Sequence, residues 1–177
     1  MKLNIKTTPW LAVIAATTLC TTTRAFPAGK DDSLQLGAAA VGKPLTMKFK
    51  AVDGTEVDLS KLQGKVVLLD FWATWCGPCR VELPNVKAAY EKLHPKGFEI
   101  VGISFDDSKG KLQSFVAKEK MTWPQYFDGL TWKNKIGVKY GIESIPTMWL
   151  VDKKGNLREM EARDNLEARV EKLLAEK

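Results

Sequence analysis

Cys76 and Cys79 are separated only by Gly77 and Pro78, and two thiols at that spacing can pass two electrons by closing and opening a disulfide. Before them, Lys65-Val66-Val67-Leu68-Leu69-Asp70 is an apolar, β-branched run with the length of a buried strand. After them, Leu83, Val86, Tyr90 and Leu93 fall at helical spacing. The pair therefore stands where a strand ends and a helix begins. Unpaired N–H groups and the positive end of the dipole at that terminus favour a thiolate. Cys76, at the exposed end of the helix, is expected to be the nucleophile with a lowered pKa. Pro78 suits the first turn, where its missing N–H is no loss. Cys79, about one turn further on, can reach back to Cys76. In the reduced form Cys76 would attack a substrate disulfide and Cys79 would resolve the mixed disulfide.

A metal site is the competing chemistry for a close cysteine pair. Tetrahedral zinc takes four ligands. The remaining candidate, His94, is the only histidine and sits about 20 Å along the helix at ~1.5 Å per residue. No metal and no other cofactor is expected beyond the redox-active disulfide itself.

Charge and the N-terminus set the wider frame. The chain has 177 residues and a formal charge of +6, which invites a nucleic-acid reading. Residues 1–25 hold Lys2, Lys6 and Arg24 with no acidic residue, and without them 24 basic residues face 21 acidic ones. Those charges are interspersed, with no basic run, so nucleic acid is not an expected partner. Lys2 and Lys6 followed by the apolar-to-small stretch Pro9 to Cys20, then Thr23-Arg24-Ala25, read as an export signal cut after Ala25, with Ala28 as the alternative cleavage point. The apolar run is too short to span a bilayer comfortably, and membrane association is expected only if the signal is retained. Cys20 leaves with the signal, so the mature chain keeps Cys76 and Cys79 alone. A single close pair in an exported domain points to redox work, where a structural framework would show several pairs.

The rest of the chain supplies positioning elements. Residues 26–42 read as a linker and 43–177 as one domain. Leu45, Met47 and Phe49 alternate as in a half-buried strand, Asp53-Gly54 signals a turn and Glu56-Val57-Asp58 the return strand. The helix from Cys76 to about His94 should kink at Pro84 and end at Pro95 and Gly97. Glu99 to Phe105 reads as a strand, Lys109 to Lys120 as a helix, Trp123 to Phe127 as a short strand and Lys133 to Tyr140 as a short helix. Thr147 to Val151 and Leu157 to Met160 flank an Asp152 to Gly155 turn. In the last helix Asp164 should cap and Glu167 reach back, with Leu166, Val170, Leu173 and Leu174 as the apolar face. This order implies an α/β three-layer sandwich.

Trp-Cys-Gly-Pro-Cys at Trp75–Cys79 resembles the thioredoxin active site. Asp70 matches the buried aspartate of that family, Pro84 the proline of its first active-site helix, and Ile145-Pro146-Thr147 its cis-proline loop. The N-terminal β-hairpin and the extra central helix and strand resemble the TlpA/ResA branch, in a thioredoxin-like fold. The resemblance implies that Pro146 follows a cis bond and faces the dithiol. It would leave the Ile145 backbone free to pair with an extended substrate. It also implies that Asp70 lies under the dithiol, where burial would raise its pKa and let it take a proton from Cys79. Glu82 matches a glutamate that influences the cysteine titration in that branch. Trp75, Gly77, Pro78, Ile145 and Pro146 would form the substrate contact. Trp72 reads as core, and Trp123, Trp132 and Trp149 as packing. The expected activity is an exported thiol–disulfide oxidoreductase, acting on protein disulfides and thiols. It would be periplasmic if the cell has an outer membrane, monomeric, and fed by a membrane thiol reductant. The alternative is a peroxiredoxin-like thiol peroxidase. Those enzymes set their cysteine in Pro-x-x-x-Thr/Ser-x-x-Cys, and no proline stands between Leu68 and Trp72.

Overall fold

The structure, a computed structural model, describes residues 40–177. The export-signal reading and the linker up to residue 39 lie outside the described residues. Lys48–Lys50 (β1) and Glu56–Asp58 (β2) pair antiparallel around the expected turn. There Gly54 takes φ +94° and the Asp53 carboxylate accepts the Thr55 N–H. The strand is shorter than the alternation suggested, because Leu45 donates its N–H to Gly155 and Pro44 bridges Asn156 instead. The packed body reaches back to Ala40, which is buried, and the Gly42 N–H bonds the Leu157 carbonyl.

Val66–Trp72 (β3) is the centre of the main sheet and is buried along its whole length, as its unbroken apolar sequence requires. Phe98–Ser104 (β4) pairs parallel to it on one side, and Thr147–Val151 (β6) antiparallel on the other. Gln125–Tyr126 (β5) and Leu157–Glu159 (β7) complete the order β5-β4-β3-β6-β7. Between β3 and β4 runs Gly77–Leu93 (α1), continuous through Pro84 and stopped by Pro95 and by Gly97 at φ +99°. Lys109–Lys118 (α2) joins β4 to β5, and Lys135–Lys139 (α3) precedes β6. Leu166–Ala175 (α4) closes the chain.

The register assigns the layers. Val66, Leu68, Asp70 and Trp72 sit opposite Phe98, Ile100, Gly102 and Ser104, so these side chains share one face of the sheet. Tyr90 of α1 lies 6.3 Å from Phe98 and 5.1 Å from Trp123, and Phe115 of α2 lies 5.6 Å from Trp72. Lys92 of α1 pairs with Glu167 and Glu171 of α4. Helices α1, α2 and α4 therefore cover that face. On the other face Phe71 packs on Trp149 and Trp149 on Tyr140, beside α3. The Tyr140 hydroxyl bonds the Thr46 carbonyl, and Phe49 meets Tyr126, which places the hairpin there too. The three layers of the α/β reading are present, with the N-terminal hairpin and the added α2 and β5.

One terminus differs from expectation. The last helix begins at Leu166, and its N-cap is Asn165, in the left-handed region at φ +57° with no side-chain cap bond. Asn tolerates that conformation better than most residues. Asp164 does not cap, and Glu167 pairs with Lys92 of α1 rather than reaching back. A cross-helix ion pair has replaced the local capping box.

Candidate active site

Cys76 is the N-cap of α1, and its sulfur accepts the Cys79 N–H at 3.2 Å. Gly77 and Pro78 occupy the first turn and are exposed. The two cysteines form a disulfide, with Cα atoms 5.3 Å apart. The expectation that Cys76 alone is exposed does not hold: Cys76 is 5% and Cys79 6% accessible. Position distinguishes them instead. Cys76 lies ahead of the helix, its sulfur 3.8 Å from the Ile145 carbonyl oxygen. Cys79 lies within α1 on the buried face that continues through Leu83 and Val86.

Ile145–Pro146 is a cis peptide. The loop is held by a bond from the Thr147 hydroxyl to the Ser144 carbonyl at 2.7 Å. Its Ile145 carbonyl is thus aimed at the sulfur that leads the helix, as a backbone-pairing edge for a substrate would be.

Asp70 is 5% accessible, and its side chain points to the sheet face that α1 covers. One carboxylate oxygen has no hydrogen-bond partner. Burial pushes its pKa up to about 7, and the nearby charge of Glu82 adds to the rise. Glu82 is half-buried on α1 and accepts a bond from the Asn85 amide at 3.1 Å. Among the expected site residues, the structure thus links Cys76 to Cys79 and to Ile145, and Asp70 to Glu82.

One further group positions the loop ahead of Cys76, and the sequence did not single it out. The buried carboxylate of Asp106 accepts the Thr74 N–H at 3.1 and 3.2 Å, the Thr74 hydroxyl at 2.5 Å and the Ser104 hydroxyl at 2.8 Å. Trp72 is core as expected, and its indole N–H donates to Gln125 at 2.9 Å. Asp106 lies just past an apolar strand, where a carboxylate usually marks only a strand end. Its distance of 32 residues from Thr74 hid the pairing.

Trp75 is 49% accessible, in line with a contact role. Trp123 and Trp149 are buried packing, but Trp132 is 48% accessible and is not. It lies 6.2 Å from Trp75, with its inner side on Phe105 at 5.4 Å. A short turn, Thr131–Lys133, carries it to the surface. The helix expected from Lys133 to Tyr140 runs from Lys135 to Lys139, and Lys133 belongs to this turn. His94 stands at the opposite end of α1, against Tyr90 and the Phe98 carbonyl.

A Cys-Gly-Pro-Cys disulfide at a helix terminus, faced by a cis-proline on a thioredoxin-like sheet, defines the class of thiol–disulfide oxidoreductases. The comparisons with known proteins agree. The chain belongs to the AhpC/TSA family, whose model matches residues 41–160. It is 35% identical over 134 residues to the thiol-disulfide oxidoreductase ResA of Oceanobacillus iheyensis, covering 74% of this chain and 68% of that one. It is 31% identical over 146 residues to the ResA of Bacillus cereus, covering 80% of each. Among solved structures it is similar to the thioredoxin domain of a Bacteroides vulgatus thiol-disulfide oxidoreductase. There the TM-score is 0.65 and the identity 30%, covering 73% of this chain and 94% of that one. A thiol:disulfide interchange protein from a Bacteroides species gives a TM-score of 0.63 at 30% identity, covering 75% and 88%. The protein is an oxidoreductase acting on thiols and disulfides. Within the family, the peroxide-type setting is not present around its cysteines: Leu69 and Ala73 occupy the positions of the proline and the hydroxyl residue.

Proposed function

We propose that this protein reduces disulfides in exported polypeptides. The carrying observation is the placement of Cys76 ahead of α1, beside the Ile145 carbonyl, with Cys79 behind it. In the reduced protein the Cys76 thiolate, favoured by the helix terminus and the Cys79 N–H, attacks one sulfur of the substrate disulfide. That S–S bond breaks, the departing sulfur leaves as a thiolate and takes a proton, and Cys76 is joined to the substrate. Asp70, on the sheet face that α1 covers, takes the proton of Cys79 directly or through one water, and the Cys79 thiolate attacks the Cys76 sulfur. The Cys76–Cys79 disulfide forms as the Cys76–substrate bond breaks, the second substrate sulfur leaves as a thiolate and takes a proton, and two electrons have passed to the substrate. Glu82 sets the charge around Asp70. Trp75, Gly77, Pro78, Ile145 and Pro146 contact the substrate chain.

A membrane-bound dithiol reductant would return the pair to the reduced state. The signal-like composition of residues 1–25 supports export, with the mature domain working as a monomer. An insulin turbidity assay with dithiothreitol as electron source tests the activity: the wild type should precipitate the reduced chains and Cys76→Ser should not. Full activity in that variant, or turnover of hydrogen peroxide at ~10⁴ M⁻¹s⁻¹ without insulin reduction, would overturn the reading.

A further inference from the structure

Trp75, Leu130 and Trp132 are three of the six large hydrophobic residues that are exposed among the described residues; the two indoles are neighbours, and Leu130 lies on the turn that leads to Trp132. An exposed cluster of that kind marks a contact surface, whereas single exposed apolar residues are ordinary. Its position is built rather than incidental, because both indoles hang from one stretch, Ser104 to Asp106. Asp106 grips Thr74, the residue before Trp75. Phe105 supports the inner side of Trp132. The Ser104 carbonyl accepts the amide of Asn134, two residues after Trp132, at 2.9 Å.

The turn that carries Trp132 is fixed from its other end as well. The Asp128 carboxylate accepts the Leu130 N–H at 3.0 Å, the Lys135 N–H at 2.8 Å and the Tyr126 hydroxyl at 3.1 Å. Asn134 is buried and also accepts the Gly137 N–H at 2.8 Å. Thr131 is held at φ +50°, an uncommon conformation for a residue with a branched side chain. Interior packing alone would not leave a tryptophan half in water at the head of so restrained a turn. The restraint fixes the spacing between the two indoles, and a fixed aromatic surface binds without the entropy cost of ordering itself. Trp75 adjoins Cys76, so the surface is continuous with the site at which the substrate sulfur must arrive.

We propose that Trp132, with Trp75, is a specificity-determining residue that receives a large apolar or aromatic side chain beside the cysteine of the substrate polypeptide. The inference rests on the disulfide-reduction reading above and names the substrate class of that same site. Aromatic rings 4.5–7 Å apart attract in tilted and edge arrangements. The two half-exposed indoles, 6.2 Å apart and tilted 59° to each other, leave room for such an arrangement with an incoming ring.

The test uses two synthetic peptides with one intramolecular disulfide each, identical except for Phe or Ser next to one cysteine, and dithiothreitol as electron source. The wild type should reduce the Phe peptide with a kcat/KM about 3- to 10-fold higher, the size of an aromatic contact, with the difference in KM. Trp132→Ala should bring the ratio close to one, Trp132→Phe should keep most of it, and Val41→Ser, at an exposed position outside the site, should leave it unchanged. Equal wild-type rates for the two peptides, or an undiminished ratio in Trp132→Ala, would overturn the inference while leaving the disulfide reading in place. Should Trp132→Ala not fold, the wild-type ratio and Trp132→Phe still decide. Reduction of neither peptide would sink both.

Discussion

At the scale of single residues, Asp70 carries the clearest consequence. Its pKa is raised from 3.8 to about 7 by burial and by Glu82. Between those values the folded protein holds a proton that the unfolded chain has released. The stability linked to this group is therefore complete below about pH 4 and is lost as the pH rises through about 7. At ~1.4 kcal/mol per pKa unit, the loss is at most about 4 kcal/mol. Asp70→Asn should remove that slope, so that the variant is more stable than the wild type at pH 8 and similar at pH 4. Denaturant unfolding of the disulfide form at the two pH values checks this, and parallel pH dependence would return Asp70 to an ordinary carboxylate. The same substitution should slow resolution of the mixed disulfide more than its formation. An aspartate inside an apolar strand is visible in a sequence because the pattern forbids it. Trp132 was not visible in the same way, because six tryptophans in one chain look alike until the backbone shows which of them lies on a surface turn.

At the scale of elements, the site depends on how β4 meets β3 and β5. The Trp72 indole bonds the Gln125 amide directly over Gly102 of β4, and a Cβ at Gly102 would overlap that amide. Gly102→Ala should displace Gln125 and leave the buried indole N–H without a partner. Overpacking and an orphaned donor each cost about 1–3 kcal/mol. A lowered denaturant midpoint in the variant checks this, and an unchanged midpoint would mean that Gln125 relaxes freely. The strands and the long helix were legible because apolar period and length agreed, as along Val66–Trp72 and from Leu83 to Leu93. The start of α4 was not, because Asp164 and Glu167 satisfy a local capping pattern. Glu167 instead pairs with Lys92, 75 residues away.

At the scale of the whole molecule, the chain brings β3, the start of α1, the end of β4 and the approach to β6 together at one end of the central strands. Asp70, the cysteines, Asp106 and the cis-proline each come from a different one of these. The motif residues could be read from Cys-Gly-Pro-Cys and Ile145-Pro146. The supports from Asp106 and Phe105 could not, because their partners lie across the fold. In the proposed mechanism this assembly makes Cys76 the attacking sulfur and Cys79 the resolving one, although both are equally buried. The direct measurement is to mix reduced Cys79→Ser and reduced Cys76→Ser with a disulfide-bonded peptide and locate the adduct by mass spectrometry. The account predicts a stable mixed disulfide on Cys76 in Cys79→Ser and little or none on Cys79 in Cys76→Ser. An adduct that forms as fast on Cys79 as on Cys76 would contradict it.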